Sequence, residues 1–184
     1  NLDAPTVAKI FRGEIAKWND PAIAAMNPDA KLPDLKVTPV NRSDDSGTTT
    51  NFTDYLAQVA PTVWDAPADD TFPYNRGEAA QGTSGVVEAV TNGRNTIGYA
   101  DASRSGGLGV AAIKVGDAFV QYTAAAAAQV VAESPVEAGR DSHDLAIALD
   151  RTTTNSSHYP LVLVSYLIVC QQYSDPEAGT LVKA

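Results

Sequence analysis

The chain has 184 residues, 44% of them hydrophobic, which is enough for one ordinary domain with a real core and excludes disorder as a description of the whole. Its 22 acidic and 13 basic residues leave a formal net charge of −9, which disfavours nucleic acid and anionic membrane surfaces, since both need a basic face. One cysteine, Cys170, and two histidines, His143 and His158, are too few for an internal disulfide or a structural zinc site, so neither a metal nor a cofactor is expected.

The chain opens on Asn1-Leu2-Asp3 without a start methionine, and the expectation is a piece of something longer. Asp3 reads as an N-cap, with Pro5 in the first turn of a helix whose apolar stripe is Val7, Ile10, Phe11 and Ile15. "WNDPAIAAMNP" (18 to 28) predicts a second short helix after Asn19 or Asp20. "LKVTPVNR" (35 to 42) reads as an interior strand. Residues 46 to 60 then follow a helical pattern, with Phe52, Tyr55, Leu56 and Val59 on one face. The Pro-, Asp- and aromatic-rich stretch 61 to 77 predicts a surface loop.

"GTSGVVEAVTNG" (82 to 93) opens a further helix that Asn92-Gly93 closes. "NTIGYAD" (95 to 101) is a short strand, and "VAAIKVG" with "AFVQYT" makes a hairpin around Gly116-Asp117. "AAAAAQVVAES" (124 to 134) is helical by propensity. "DLAIALD" (144 to 150) is a short amphipathic segment. "PLVLVSYLIVC" (160 to 170) is about half a membrane span and predicts a buried strand, with Cys170 an inert core residue. Strands alternating with helices indicate an α/β domain with a central sheet and helices on both faces.

"NRSDDSGTTTNFTDYL" (41 to 56) carries the chemistry. A strand runs into a helix that begins near Ser46 or Gly47. The first N–H groups of that helix lack internal partners and carry the positive end of its dipole, so a small anion placed there accepts several hydrogen bonds. Gly47 lets backbone approach a ligand. Ser46 and Thr48 add hydroxyls, and the planar fork of Arg42 suits two oxygens of a tetrahedral oxyanion. Asp44 repels an anion and is read instead as the group that orients Arg42. The same residues also read as a plain capped helix start. There is no GxxxxGK[ST] and no GxSxG, which leaves Ser46 as a hydrolytic nucleophile, with His143 as its base, the weaker alternative. "GTSGVV" is either a second anion cradle or only a helix cap.

Four stretches, "IFRGEIAKWNDPAI" (10 to 23), "RSDDSGTTTNFTDYL" (42 to 56), "GTSGVVEAVTNGRNTIGYAD" (82 to 101) and "YPLVLVSYLIV" (159 to 169), resemble segments that occur in the same order in bacterial phosphate-binding proteins. These are the extracytoplasmic receptors of the high-affinity phosphate ABC importer, and the resemblance is greatest to their actinobacterial branch. It implies a type II periplasmic-binding-protein fold, two α/β lobes joined by a hinge with phosphate in the cleft, and no chemistry on the ligand. It places 1–158 in the second lobe and makes 159–184 the return strand and the start of a helix of the first.

Arg42, Ser46, Gly47 and Thr48 match phosphate ligands of the second lobe, and Asp44 matches the partner of the arginine. The remaining ligands, including a carboxylate that accepts a proton from phosphate, belong to a first-lobe segment with no counterpart in this sequence. The implied partners are inorganic phosphate, the membrane permease of the importer, and the missing first lobe or a partner chain. The implied location is periplasmic or extracellular, with any lipid anchor attached outside this chain. The rival functions are a phosphatase or acyl hydrolase using Ser46, and a receptor fragment with no binding of its own.

Overall fold

The structure, a computed structural model, describes residues 1–170 and 172–183. Helix α1 (Ala4–Arg12) begins where Asp3 accepts a hydrogen bond from the Thr6 N–H, with proline in its first turn. Helix α2 (Pro21–Ala25) starts in the same way from Asp20. Strand β1 (Thr38–Arg42) follows and leads into α3 (Gly47–Val59), β2 (Glu78–Ala80), α4 (Gly82–Asn92) and β3 (Thr96–Gly98). Strands β4 (Ile113–Val115) and β5 (Ala118–Val120) form an antiparallel hairpin, followed by α5 (Ala124–Glu133) and α6 (Pro176–Lys183).

The three-stranded sheet is all parallel in the order β2-β1-β3, so β1 is interior, as its apolar pattern predicts. Pro39 sits in this central strand, an unusual place for a residue with no N–H. The register explains it. Pairing of β1 with β2 begins only at Val40 opposite Glu78, and the Pro39 carbonyl faces Gly77, before β2 starts. No ladder bond is therefore required of the missing N–H. Gly77 has φ +71, and a Cβ there would lie 2.0 Å from the Pro39 carbonyl oxygen, so only glycine lets β2 approach.

Helix α4 packs on all three strands, and a Cβ at Gly98 would meet Val86 of α4 at 2.9 Å. On the other side α1 packs on α3. There Phe11, Phe52, Trp64, Phe72 and Tyr99 form a chain of ring contacts, with Phe52 stacked on Tyr99 at 4.3 Å. Helices thus flank both faces, and the fold is the expected α/β lobe.

Two expectations need correction, the strand at 160–170 and the burial of Cys170. Residues 160–170 form no strand: no described strand lies beside them, and a run apolar on both faces needs neighbours on each side to become a sheet interior. Leu167 and Ile168 are consequently 97% exposed. Cys170 is exposed, not a core residue. Segment 144–150 is neither helix nor strand, apart from a single bridge between Ile147 and Val136. Stretch 61–77 is irregular as expected, but β2 directly after it has no sequence signal. The last residue of the run assigned to the first lobe, Ala184, and Gln171 within it lie outside the described residues.

Candidate anion-binding site

Arg42 ends β1, Gly82 follows β2, and Asp101 follows β3, so all three lie at the carboxyl edge of the parallel sheet. The chain leaves β1 for β2 on one side and then returns past β1 to β3 on the other. In open α/β sheets such a switch point is where ligands bind. Helix α3 begins at this edge. Ser46 is its N-cap, with the Oγ accepting from the Thr48 N–H at 3.1 Å. The Ser46 N–H donates to the Asp70 carbonyl at 3.0 Å, which ties the helix start to the loop before β2. Among the described residues, no group accepts from the N–H of Gly47 or Thr49.

Arg42 and Asp44 form a two-point pair: Nε to Oδ1 at 2.8 Å and Nη2 to Oδ2 at 2.5 Å. The Arg42 side chain is only 10% exposed. Asp44 Oδ1 also accepts from the Gly82 N–H at 2.9 Å. The residue before α4, Gln81, makes no side-chain cap, so Asp44 supplies the cap from 38 residues away. The glycine-and-hydroxyl stretch at 82 therefore receives an internal carboxylate. The hydrogen bonds from Arg42 and then from the Gly82 N–H hold the Asp44 carboxyl well below the usual carboxylate range. The bond to Asp44 raises Arg42, against the opposing effect of burial.

Two nitrogens of the guanidinium are thus occupied. Among the described residues, nothing accepts from Nη1. The backbone of Arg42 is fixed as well: its N–H donates to the Tyr99 hydroxyl at 3.2 Å, and that hydroxyl meets Thr49 Oγ1 at 2.8 Å. Tyr99 thereby joins the end of β1 to the first turn of α3. Sequence reasoning missed this role, because a tyrosine in "TIGYAD" reads only as a strand residue. Asp101 accepts from Thr83 Oγ1 at 3.1 Å.

Gly47 is exposed, its φ lies outside the left-handed region, and an added Cβ would meet nothing within 4 Å. Neither backbone conformation nor packing requires glycine there. Thr48 lines a mostly apolar cavity of about 780 Å³ that also reaches Asp101. His143 lies in an exposed turn, with Nδ1 2.9 Å from Asp141 Oδ1, and among the described residues Ser46 makes no hydrogen bond to a histidine. The same residues hold no cluster of three or more His, Cys, Asp or Glu able to bind a metal.

A parallel sheet with flanking helices and donors gathered at its carboxyl edge defines one lobe of a periplasmic-binding-protein fold. The PBP superfamily domain model matches residues 1–184, and the chain belongs to that superfamily. Among curated proteins it is 38% identical over 190 residues to phosphate-binding protein PstS 3 of Mycobacterium tuberculosis, covering 100% of this chain and 51% of that protein. It is 35% identical over 188 residues to PstS 2 of the same organism, with the same coverage. The chain thus spans about half the length of these relatives.

Among solved structures, a high-affinity periplasmic phosphate-binding protein (PfluDING) bound with phosphate superposes with a TM-score of 0.73 at 21% identity, covering 100% of this chain and 55% of that one. A DING protein crystal structure gives 0.66 at 20%, covering 100% and 56%. These likenesses show the fold. Among the described residues, no helix is long and apolar enough to cross a membrane.

Proposed function

We propose that the chain is the phosphate-holding lobe of an extracytoplasmic receptor that delivers inorganic phosphate to the membrane permease of an ABC importer. The observation that carries this is the pre-oriented Arg42: Asp44 occupies two of its nitrogens, and among the described residues nothing accepts from Nη1 or from the Gly47 and Thr49 N–H groups at the start of α3, which opens at the same edge of the sheet. Arg42, Ser46, Gly47 and Thr48 are the ligands on this account, and Asp44 positions the arginine without touching the anion. A glycine that the protein itself does not need fits a position kept clear for a bound oxyanion. The names of the relatives support the choice of phosphate.

Residues 1–158 make up the second lobe, and 159–184 lead into the first lobe, whose remaining ligands lie outside this chain. The exposed apolar side chains of 163–169 suit a segment that the other half of the receptor covers. No reaction accompanies binding. Ser46 Oγ is engaged in capping α3, so a nucleophilic serine has no supporting geometry.

Phosphate titration by calorimetry tests the proposal, with a phosphate-monoester turnover assay beside it. Saturable phosphate binding without turnover is the expected result. Turnover that disappears in Ser46→Ala would replace the proposal with a hydrolase.

A further inference from the structure

The face of α3 that begins at Gly47 continues through Asn51, Asp54 and Gln58, at spacings of four, three and four. Its two ends are exposed, but the middle, at Asn51 and Asp54, is covered. Arg151, only 5% exposed, lies against it: Nη2 donates to Asn51 Oδ1 at 2.6 Å and Nε to Asp54 Oδ2 at 3.0 Å. The other Asp54 oxygen accepts from Gln58 at 2.9 Å. Nη1 turns the opposite way and donates to the carbonyls of Pro160 at 2.8 Å and Val162 at 2.9 Å.

Two carbonyls at alternate residues point to one side of an extended chain, as they do when a neighbouring strand accepts them into a ladder. Segment 160–170 has no such strand among the described residues. Arg151 takes the strand's place for these two carbonyls. Burial of a cation this deeply is costly, and it lowers the arginine's proton affinity against the opposing effect of Asp54. A group buried at that cost with four bonds to two separate segments holds those segments in register.

We infer that Arg151 is a positioning residue that couples the anion site to the outgoing segment. It ties the helix whose first turn meets the anion to residues 160–162, so an anion that stabilises α3 also fixes the direction in which the chain leaves the lobe. The inference rests on the phosphate proposal for its ligand-dependent part only. Asn51 and Asp54 transmit the effect one and two turns beyond the anion, and neither touches it.

The test is amide hydrogen exchange on the chain, with and without inorganic phosphate, in the parent, Arg151→Lys and Asp54→Asn. Lysine keeps the charge but cannot bridge both segments in one plane. Without phosphate, exchange at the Tyr159 amide, which donates to the Ala126 carbonyl at 3.1 Å and directly precedes the gripped carbonyls, should rise about tenfold in Arg151→Lys, as expected when the loss of one or two net hydrogen bonds loosens the segment, while β1 keeps its parent rates. Parent-like exchange at Tyr159 would overturn the inference, whatever phosphate does. If Arg151→Lys does not fold, Asp54→Asn carries the same comparison.

With phosphate, amides 47–50 should be protected in all three proteins, and the Tyr159 amide should gain protection in the parent alone. Equal gains at Tyr159 in the parent and in Arg151→Lys would overturn the coupling. Absence of protection at 47–50 in the parent would refute the phosphate proposal, and the phosphate-free comparison would still decide the role of Arg151.

Discussion

Asp44 holds two nitrogens of Arg42 and the first N–H of α4 at once. The arginine therefore cannot be replaced by a charge alone. Arg42→Lys should weaken phosphate binding by about 1.5–3 kcal/mol, the value of a charge-assisted hydrogen bond, because an ammonium cannot be gripped by Asp44 and still present a planar donor. Calorimetry on the parent and the variant checks this, and equal affinities would remove Arg42 from the site.

Gly47 separates stability from binding. Its surroundings are open and its φ is ordinary, so Gly47→Ala should leave the melting temperature unchanged or raise it, by a stability gain of up to about 1 kcal/mol. The added methyl should nevertheless lower phosphate affinity. A variant that binds as the parent does would mean that no ligand approaches this backbone. Asp44 gives a pH signature. Its carboxyl is depressed in the fold, so its contribution to stability is fully present above the unfolded value of about 3.9 and is lost as pH falls through the lower folded value. Asp44→Asn should melt below the parent at neutral pH, and the gap should narrow as the solution becomes more acid than about pH 4. A gap that stays constant with pH would show that the charge of Asp44 contributes nothing.

Individual elements differ in how clearly the sequence announces them. The β1–α3 unit is legible because its signals are local: a β-branched run, a serine cap, and Phe52, Tyr55 and Leu56 at helical spacing. The short helices after Asp3 and Asp20 are legible for the same reason. Strand β2 is three residues, Glu-Ala-Ala, and exists only because β1 lies beside it, so nothing in its own composition could reveal it. Segment 160–170 fails in the opposite way. Its composition asks for a sheet interior, but a strand is defined by its neighbours, and none of the described strands provides one.

The candidate site divides along the same line. Arg42, Asp44, Ser46, Gly47 and Thr48 fall within seven residues and can be read together. Tyr99 and Gly82 join them only through folding, as does the cap that Asp44 gives to α4.

The whole molecule shows its buried tyrosines in alkali. Burial pushes the Tyr159 hydroxyl up to about 12 and raises Tyr55 and Tyr99 as well. A tyrosine with a raised folded pKa contributes its full stability below the unfolded value, about 10, and loses it as pH rises through the folded value. Stability should therefore be flat up to about pH 9 and then fall, by about 1.4 kcal/mol per pH unit for each tyrosine that ionises only on unfolding. Urea unfolding between pH 8 and 12 measures this slope, and a flat profile would mean that these hydroxyls reach water in the fold. The net charge of −9 steepens the alkaline loss and also repels anions at long range, so phosphate binding should depend on the local donors and not on the overall field.

The central claim is that this lobe by itself holds phosphate at Arg42 and the start of α3. On the proposed reading the chain supplies one wall of a cleft and works without the donors of the opposite wall. If about four hydrogen bonds are missing, each worth roughly 1 kcal/mol, the dissociation constant should be about a thousandfold weaker than that of a complete receptor. Calorimetric titration of the chain with inorganic phosphate, repeated on Arg42→Lys and at raised salt, tests this most directly. We expect saturable binding in the millimolar range for the parent, weakened by salt and weaker still in Arg42→Lys. No saturable heat at any phosphate concentration, or the same titration curve from the parent and from Arg42→Lys, would contradict it.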